Sequence, residues 1–170
     1  VQELVEWGAQ FTMKHEHATA PDFHLSREGG HSKNRIVHAK DLTGREIERA
    51  LLLAIKSNVN IAIYEQHFAI ELITEHHLAD YHRQSEKPIH CWGAYVLNIP
   101  ENSIDIFTAR FTILATGGCG RIYLHTTNPT IATGDGLAMS FRAGATIANL
   151  EFMQFHPTTL YHPGADSFLI

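Results

Sequence analysis

Four short stretches of the chain carry residues suited to chemistry. "EFMQFHPTTLYHP", from Glu151 to Pro163, sets His156 between an apolar run and Pro157, followed by Thr158 and Thr159. Proline cannot donate to a β ladder and disfavours continuation, so this reads as a strand leading into a turn. His156 is then either a turn histidine satisfied locally or a binding residue displayed at a strand end, where loops usually carry function. "REGGHS" gathers Arg27, Glu28, His31 and Ser32 around Gly29 and Gly30, as a solvated turn or a polar binding loop. "TILATGG" is an apolar strand pattern ending in glycines, which let backbone approach a ligand closely and leave amides free for phosphate oxygens. "TGDG", Thr133 to Gly136, precedes a helical pattern. Its amides suit an anion, and Asp135 either caps the helix or accepts from a ribose hydroxyl. The dinucleotide fingerprint GxGxxG is absent, because the Gly117–Gly120 cluster has the wrong spacing. Spacing alone does not complete a nucleotide site.

These stretches need a scaffold. Val1, Leu4, Val5 and Trp7 suggest a short amphipathic helix ended by Gly8. Thr43-Gly-Arg-Glu46 has capping-box spacing, and Ile47, Ala50, Leu51, Ala54 and Ile55 follow on one helical face, closed by Ser57 and Asn58. "IAIYEQHFAIELIT" is rich in β-branched and aromatic residues and predicts two short strands. Residues 75–88 are polar and predict a loop. "CWGAYVLNI" and "IDIFTARFTILAT" predict strands joined by "PENS". The second of these ends in the almost wholly apolar Phe111–Ala115, as expected of a central strand buried on both faces. A helix is predicted from Asp135 to near Gly144, burying Leu137, Ala138, Phe141 and Ala145, and a last strand over Ile147–Phe155. The fold class is α/β or mixed α+β.

Composition narrows the possibilities. With 170 residues, 44% of them hydrophobic, there is enough chain for one domain with a core. A net charge of -5 with interspersed signs gives no basic face, which argues against a nucleic-acid partner. No apolar run approaches the ~18 residues of a membrane span, so no membrane partner is expected. Cys91 and Cys119 form no CxxC motif or disulfide framework, as expected in a reducing cytoplasm. The thirteen histidines show no HExxH or structural zinc spacing, and no metal site is expected. Val1 opens in mid-pattern, and the chain is expected to be an internal piece of a longer protein.

"REGGHS", "DLTGREIERAL" and the long run from "TILATGGCGRIYLHTTNPT" through "IATGDGLAMSFRAGATIANLEFMQFHPTTLYHP" resemble the succinate dehydrogenase/fumarate reductase flavoprotein family, in its L-aspartate oxidase branch. The likeness covers nearly the whole chain, strongest over 112–163 and loosest over 75–88. It implies that residues 1–170 are the central portion of a Rossmann-like FAD-binding domain containing an antiparallel sheet. The GxGxxG segment is expected before Val1, and the capping and helical domains after Ile170. The implied reaction is oxidation of L-aspartate to iminosuccinate, hydride passing from Cα to FAD and then to dioxygen (O2) or fumarate. This would be a cytoplasmic step of NAD synthesis, with quinolinate synthase downstream. By the same resemblance His156 and Glu28 are catalytic and substrate-binding, with Thr158 in the same substrate loop. Phe68 and Ala69 meet the adenosine half of FAD, Asp135 binds FAD, and the turn Ala115, Thr116, Gly117 passes close to it. Glu28 separates the branches: a carboxylate attracts the α-ammonium of aspartate and repels a plain dicarboxylate. The alternatives are a succinate dehydrogenase or fumarate reductase flavoprotein subunit, a non-catalytic folded module, and a histidine-rich metal binder.

Overall fold

A computed structural model describes residues 1–15, 22–39, 42–78, 88–155, 158–160, 162 and 168–169. The chain forms two units, Val1–Tyr64 and Glu65–Ile170.

In the first unit, helix α1 (Gln2–Glu6) ends as expected at Gly8, whose φ of 90° suits only glycine without strain. A two-stranded antiparallel ribbon follows, β1 (Leu25–Ser26) with β2 (Ile36–Val37). Helix α2 (Thr43–Lys56) turns the predicted face inward: Ala50 is fully buried, while Leu52 and Leu53 on the other side are exposed. Ala50 packs with Ala9 and Phe11, and Leu4, Val5, Phe23, Val37 and Ile47 close around them. Phe11 meets Phe23 edge to face at 5.9 Å. Burying one such phenylalanine contributes about 1.5–3 kcal/mol.

The expected capping box does not form. Thr43 lies inside the helix behind Leu42 and accepts a hydrogen bond from the Ala39 amide at 3.1 Å. Glu46 instead accepts from the Gln10 amide at 2.7 Å and pairs with Arg49 at 2.6 Å, while Arg49 donates to the Gly8 carbonyl. The hydrogen bond from Arg49, helped by that from Gln10, holds the Glu46 carboxyl down at about 2. The carboxylate prefers these partners to the cap because Arg49, one turn along the helix, brings a full positive charge and Gln10 adds an amide from elsewhere in the unit.

The second unit is built on an antiparallel meander of β3 (His67–Thr74), β4 (Cys91–Asn98) and β5 (Ser103–Thr108). Register sets Phe68 opposite Leu97 and Leu97 opposite Ile104. Phe68, Ile104 and Ile106 lie exposed, whereas Leu72 is buried. Beyond β3, the Glu75 carboxylate clamps the His90 amide and ring nitrogen, both at 2.7 Å. Partial burial alone would raise the Glu75 carboxyl, but the His90 hydrogen bonds outweigh it and lower it.

Helix α3 (Asp135–Arg142) stops near Gly144 as expected, with φ of 88° there. Its buried side is Gly136 and Met139; the predicted core residue Phe141 is 71% exposed, and Ala138 and Ala145 are exposed too. The shortness of α3 explains the error, since two turns leave room for only a narrow inward stripe, set by Gly136 and Met139. Two predicted strands and the end of a third are absent. Ile61–Tyr64, Phe111–Ala115 and Ile147–Phe155 carry no regular structure, and Phe111 and Ile113 are 88% and 87% exposed. Among the described residues no strand bonds to these stretches, and β structure exists only through its neighbours. The chain instead forms a small ribbon of β6 (Thr159–Leu160) with β7 (Phe168–Leu169).

Candidate cofactor and substrate site

Within the second unit the two glycine-bearing turns come together, and glycine is what lets them. Gly134 adopts the left-handed conformation (φ 81°, ψ 20°) just before α3, and a Cβ there would lie 2.9 Å from the Cys119 Cβ. At Gly136, in the first turn of α3, a Cβ would fall 2.0 Å from the Thr116 hydroxyl oxygen. The Arg121 amide donates to the Ala132 carbonyl at 2.9 Å and ties the segments together by backbone. The Ala115–Gly118 turn therefore sits against the start of α3, with Thr116 seated on Gly136.

The same helix reaches the strand that carries the other predicted cofactor residues. Arg142, at its C-terminal end, pairs with Glu71 and donates to the Ile70 carbonyl at 2.9 Å. Phe68 and Ala69 are the next residues back along β3; Phe68 is 45% exposed and Ala69 half-buried. Eight helical residues span about 12 Å. One short helix thus separates the turn of Ala115, Thr116 and Gly117, with Asp135, from Phe68 and Ala69. The Arg142–Glu71 pair was not legible beforehand, because residues 71 apart give no local signal. Gly136 could have been noticed, since glycine in a helix costs about 1 kcal/mol against alanine.

These residues fit a flavin dinucleotide. Gly117 (φ 72°) and Gly118 are exposed with open space where a Cβ would stand, and their amides make no hydrogen bond among the described residues. That combination admits a ligand to the backbone and leaves donors for it. Asp135 does not cap α3. Gly134 is the N-cap, and the Asp135 carboxylate accepts from the Thr133 hydroxyl at 2.7 Å. A carboxylate at that helix start disfavours a phosphate and favours a hydroxyl donor such as ribose. Replacing Gly136 with alanine is expected to drive Thr116 off its seat and weaken FAD binding in the full-length protein about tenfold, through about 1–3 kcal/mol of overpacking. Adding Thr116→Ala is expected to recover much of that loss in a fluorescence titration; a single variant binding flavin normally would show that this contact does not shape the site.

The predicted substrate residues are divided between the two units. Glu28 lies in the first unit, exposed in the loop between β1 and β2, and its carboxylate makes no hydrogen bond among the described residues. The turn there is set by Gly30 (φ 83°) and by the His31 amide donating to the Glu28 carbonyl at 3.1 Å. Thr158 is exposed in the second unit. His156 and Pro157 lie outside the described residues. Both cysteines are free thiols, and among the described residues no three histidine, cysteine or acidic side chains gather as a metal site.

Comparison with known proteins places this arrangement. The family model described as FAD binding domain matches residues 1–170. The chain belongs to this family of FAD-binding domains. At finer grain it is 48% identical to the L-aspartate oxidase of Pseudomonas aeruginosa over 173 aligned residues, covering all of this chain and 31% of that protein. It is 49% identical to the chloroplastic L-aspartate oxidase of Arabidopsis thaliana, over 96% of this chain and 23% of that one. The chain thus spans a third or less of the curated relatives it matches. Among solved structures, Mycobacterium smegmatis Sdh1 superposes with a TM-score of 0.80 at 27% identity, over 99% of this chain and 28% of Sdh1. The quinol fumarate reductase FrdA of E. coli gives 0.69 at 25% identity, over 83% of this chain and 21% of that chain. No helix among the described residues is long and apolar enough to cross a membrane.

Proposed function

We propose that this chain is the central portion of the FAD-binding domain of an L-aspartate oxidase, an enzyme that converts L-aspartate to iminosuccinate. The observation that carries the reading is the 43–49% identity to L-aspartate oxidases over essentially the whole chain. Glu28, exposed and without a protein partner among the described residues, supports it as a group able to receive an α-ammonium. Bound FAD would supply the acceptor for the hydride removed from Cα and pass the electrons to dioxygen or fumarate. The protein's part is to hold and orient. Ala115, Thr116 and Gly117 present backbone to the cofactor, and Asp135 accepts from its ribose. Phe68 and Ala69 line its adenosine half. His156 and Thr158 bond a substrate carboxylate, while Glu28 selects the amino group. The role is cytoplasmic and belongs to NAD synthesis, with quinolinate synthase using the product. Comparing turnover of L-aspartate and succinate by the full-length protein tests the reading; succinate oxidation without aspartate oxidation would move it to the dicarboxylate branch, which the likeness to Sdh1 and FrdA also accommodates.

Two results follow from the roles assigned. His156→Ala in the full-length enzyme is expected to raise KM and lower turnover with FAD retained, since one hydrogen bond to a charged group is worth about 1.5–3 kcal/mol. Loss of flavin together with activity would make His156 structural. The 170-residue chain alone is expected to lose FAD on gel filtration. It contains no GxGxxG, and the one helix start near the glycine turn carries Asp135, which disfavours a pyrophosphate. Stoichiometric flavin surviving the column would refute this.

A further inference from the structure

Strand β3 changes face partway along its length. Its register with β4 runs Phe68 to Leu97 and Ala69 to Val96, passes over Ile70, and resumes at Glu71 opposite Tyr95 and Leu72 opposite Ala94. Ile70 is therefore the extra residue of a β-bulge. In an unbroken strand Phe68 and Leu72, four residues apart, would point to one face. Their partners Leu97 and Ala94 are three apart, so the bulge puts the two side chains on opposite faces, and Phe68 is exposed where Leu72 is buried. The bulge has its own fastening. Nη2 of Arg142 donates to the carbonyl of Ile70, the residue that the ladder skips, at 2.9 Å, and Nε of Arg142 pairs with Oε2 of Glu71. The other oxygen of that carboxylate, Oε1, accepts from the Leu72 amide at 3.2 Å. One guanidinium and one carboxylate thus hold backbone on either side of Glu71.

We propose that Arg142 and Glu71 are positioning residues for the adenosine half of FAD: they clamp the Ile70 bulge, and the bulge sets which way Phe68 and Ala69 face. The ladder to β4 keeps β3 in the sheet but does not by itself fix where the extra residue sits. A bulge moved toward the start of β3 would pair Ile70 with Val96 and Ala69 with Leu97. Every pair from Glu71 onward would survive, while Phe68 and Ala69 turned over to the other faces. The bond from Arg142 to the Ile70 carbonyl opposes that slip, because it holds Ile70 outside the register. Arginine suits the task. Its rigid fork reaches a carbonyl and a carboxylate at once, whereas a lysine offers one point charge without fixed geometry. Neither residue is assigned a contact with the cofactor, and the link to adenosine rests on the role proposed for Phe68 and Ala69.

The test uses the full-length protein with Arg142→Met and Arg142→Lys, reading hydrogen exchange of peptides over residues 67–72 and the affinity of the apoprotein for FAD. Arg142→Met is expected to speed exchange over 67–72 roughly threefold to tenfold, the range for a lost hydrogen bond, and to weaken FAD by a similar factor. Exchange over β5, which bonds to β4 and not to β3, is expected to match wild type. Arg142→Lys, which keeps the charge but not the fork, is expected to fall between the two, and it carries the comparison if Arg142→Met does not fold. Unchanged exchange over 67–72 in both variants would overturn the clamp. Faster exchange across β5 as well would mark general loosening and overturn the positioning role. Faster exchange confined to 67–72 with FAD affinity unchanged would remove Phe68 and Ala69 from the adenosine site and overturn the positioning role with them, leaving the clamp as architecture.

Discussion

Glu28→Gln in the full-length enzyme is expected to lower kcat/KM for L-aspartate about tenfold to a hundredfold and to keep or improve reduction of fumarate. The first figure is the loss of one charge-assisted hydrogen bond, about 1.5–3 kcal/mol. The second follows because fumarate has no ammonium to lose, and a neutral amide no longer repels its carboxylates. The structure sharpens the test. Because the Glu28 carboxylate makes no hydrogen bond among the described residues, removing its charge breaks nothing in the loop, whose turn is held by Gly30 and a backbone bond to His31. Equal losses in both reactions would mark Glu28 as structural, and no change in either would mark it as a bland surface residue. The decisive quantity is the ratio of kcat/KM for the two substrates in wild type and variant. An unchanged ratio reopens the dicarboxylate reading.

Gly93→Ala is expected to cost about 3–5 kcal/mol of stability, the sum of a disfavoured backbone conformation and overpacking. Gly93 has a φ of 144°, and a Cβ there would stand 1.8 Å from the carbonyl oxygen of Phe107 on the neighbouring strand. That obstacle is backbone in the middle of the meander, so no side-chain rotation relieves it; β4 or β5 must shift. Because Gly93 pairs with both Ile73 and Thr108, the strain reaches β3, which carries Phe68 and Ala69. Thermal unfolding of the full-length protein is expected to show a midpoint lower by about 3–4 °C, with weaker flavin retention. An unchanged midpoint would disprove the close crossing at Gly93.

Helices were legible where the signal was local. Period and length showed α2, and its inward face agreed residue by residue. Positive-φ glycines marked the ends of α1 and α3 at Gly8 and Gly144. The sheet was half legible: β4, β5 and the turn between them agreed, because alternation and turn residues act over a few positions. Phe111–Ala115 misled for a physical reason. An apolar run records what a segment prefers to bury, while a strand forms only against hydrogen-bonding neighbours, and none among the described residues bonds to it.

The proposed cofactor site divides along the same line. By itself the sequence determined the chemistry available: glycine turns with free amides at Gly117 and Gly118, a carboxylate at Asp135, and an acidic loop residue at Glu28. Those depend on residue type and on the φ values only glycine tolerates. The tertiary structure decided which of them meet. Thr116 rests on Gly136 because no Cβ intervenes, Arg142 draws α3 onto β3 beside Phe68 and Ala69, and Glu46 abandons its local cap for Gln10 and Arg49. Apart from the Glu46–Arg49 pair, which lies within one helical turn, each of these contacts joins residues far apart in the chain, so its energy depends on a distance that only the folded backbone sets.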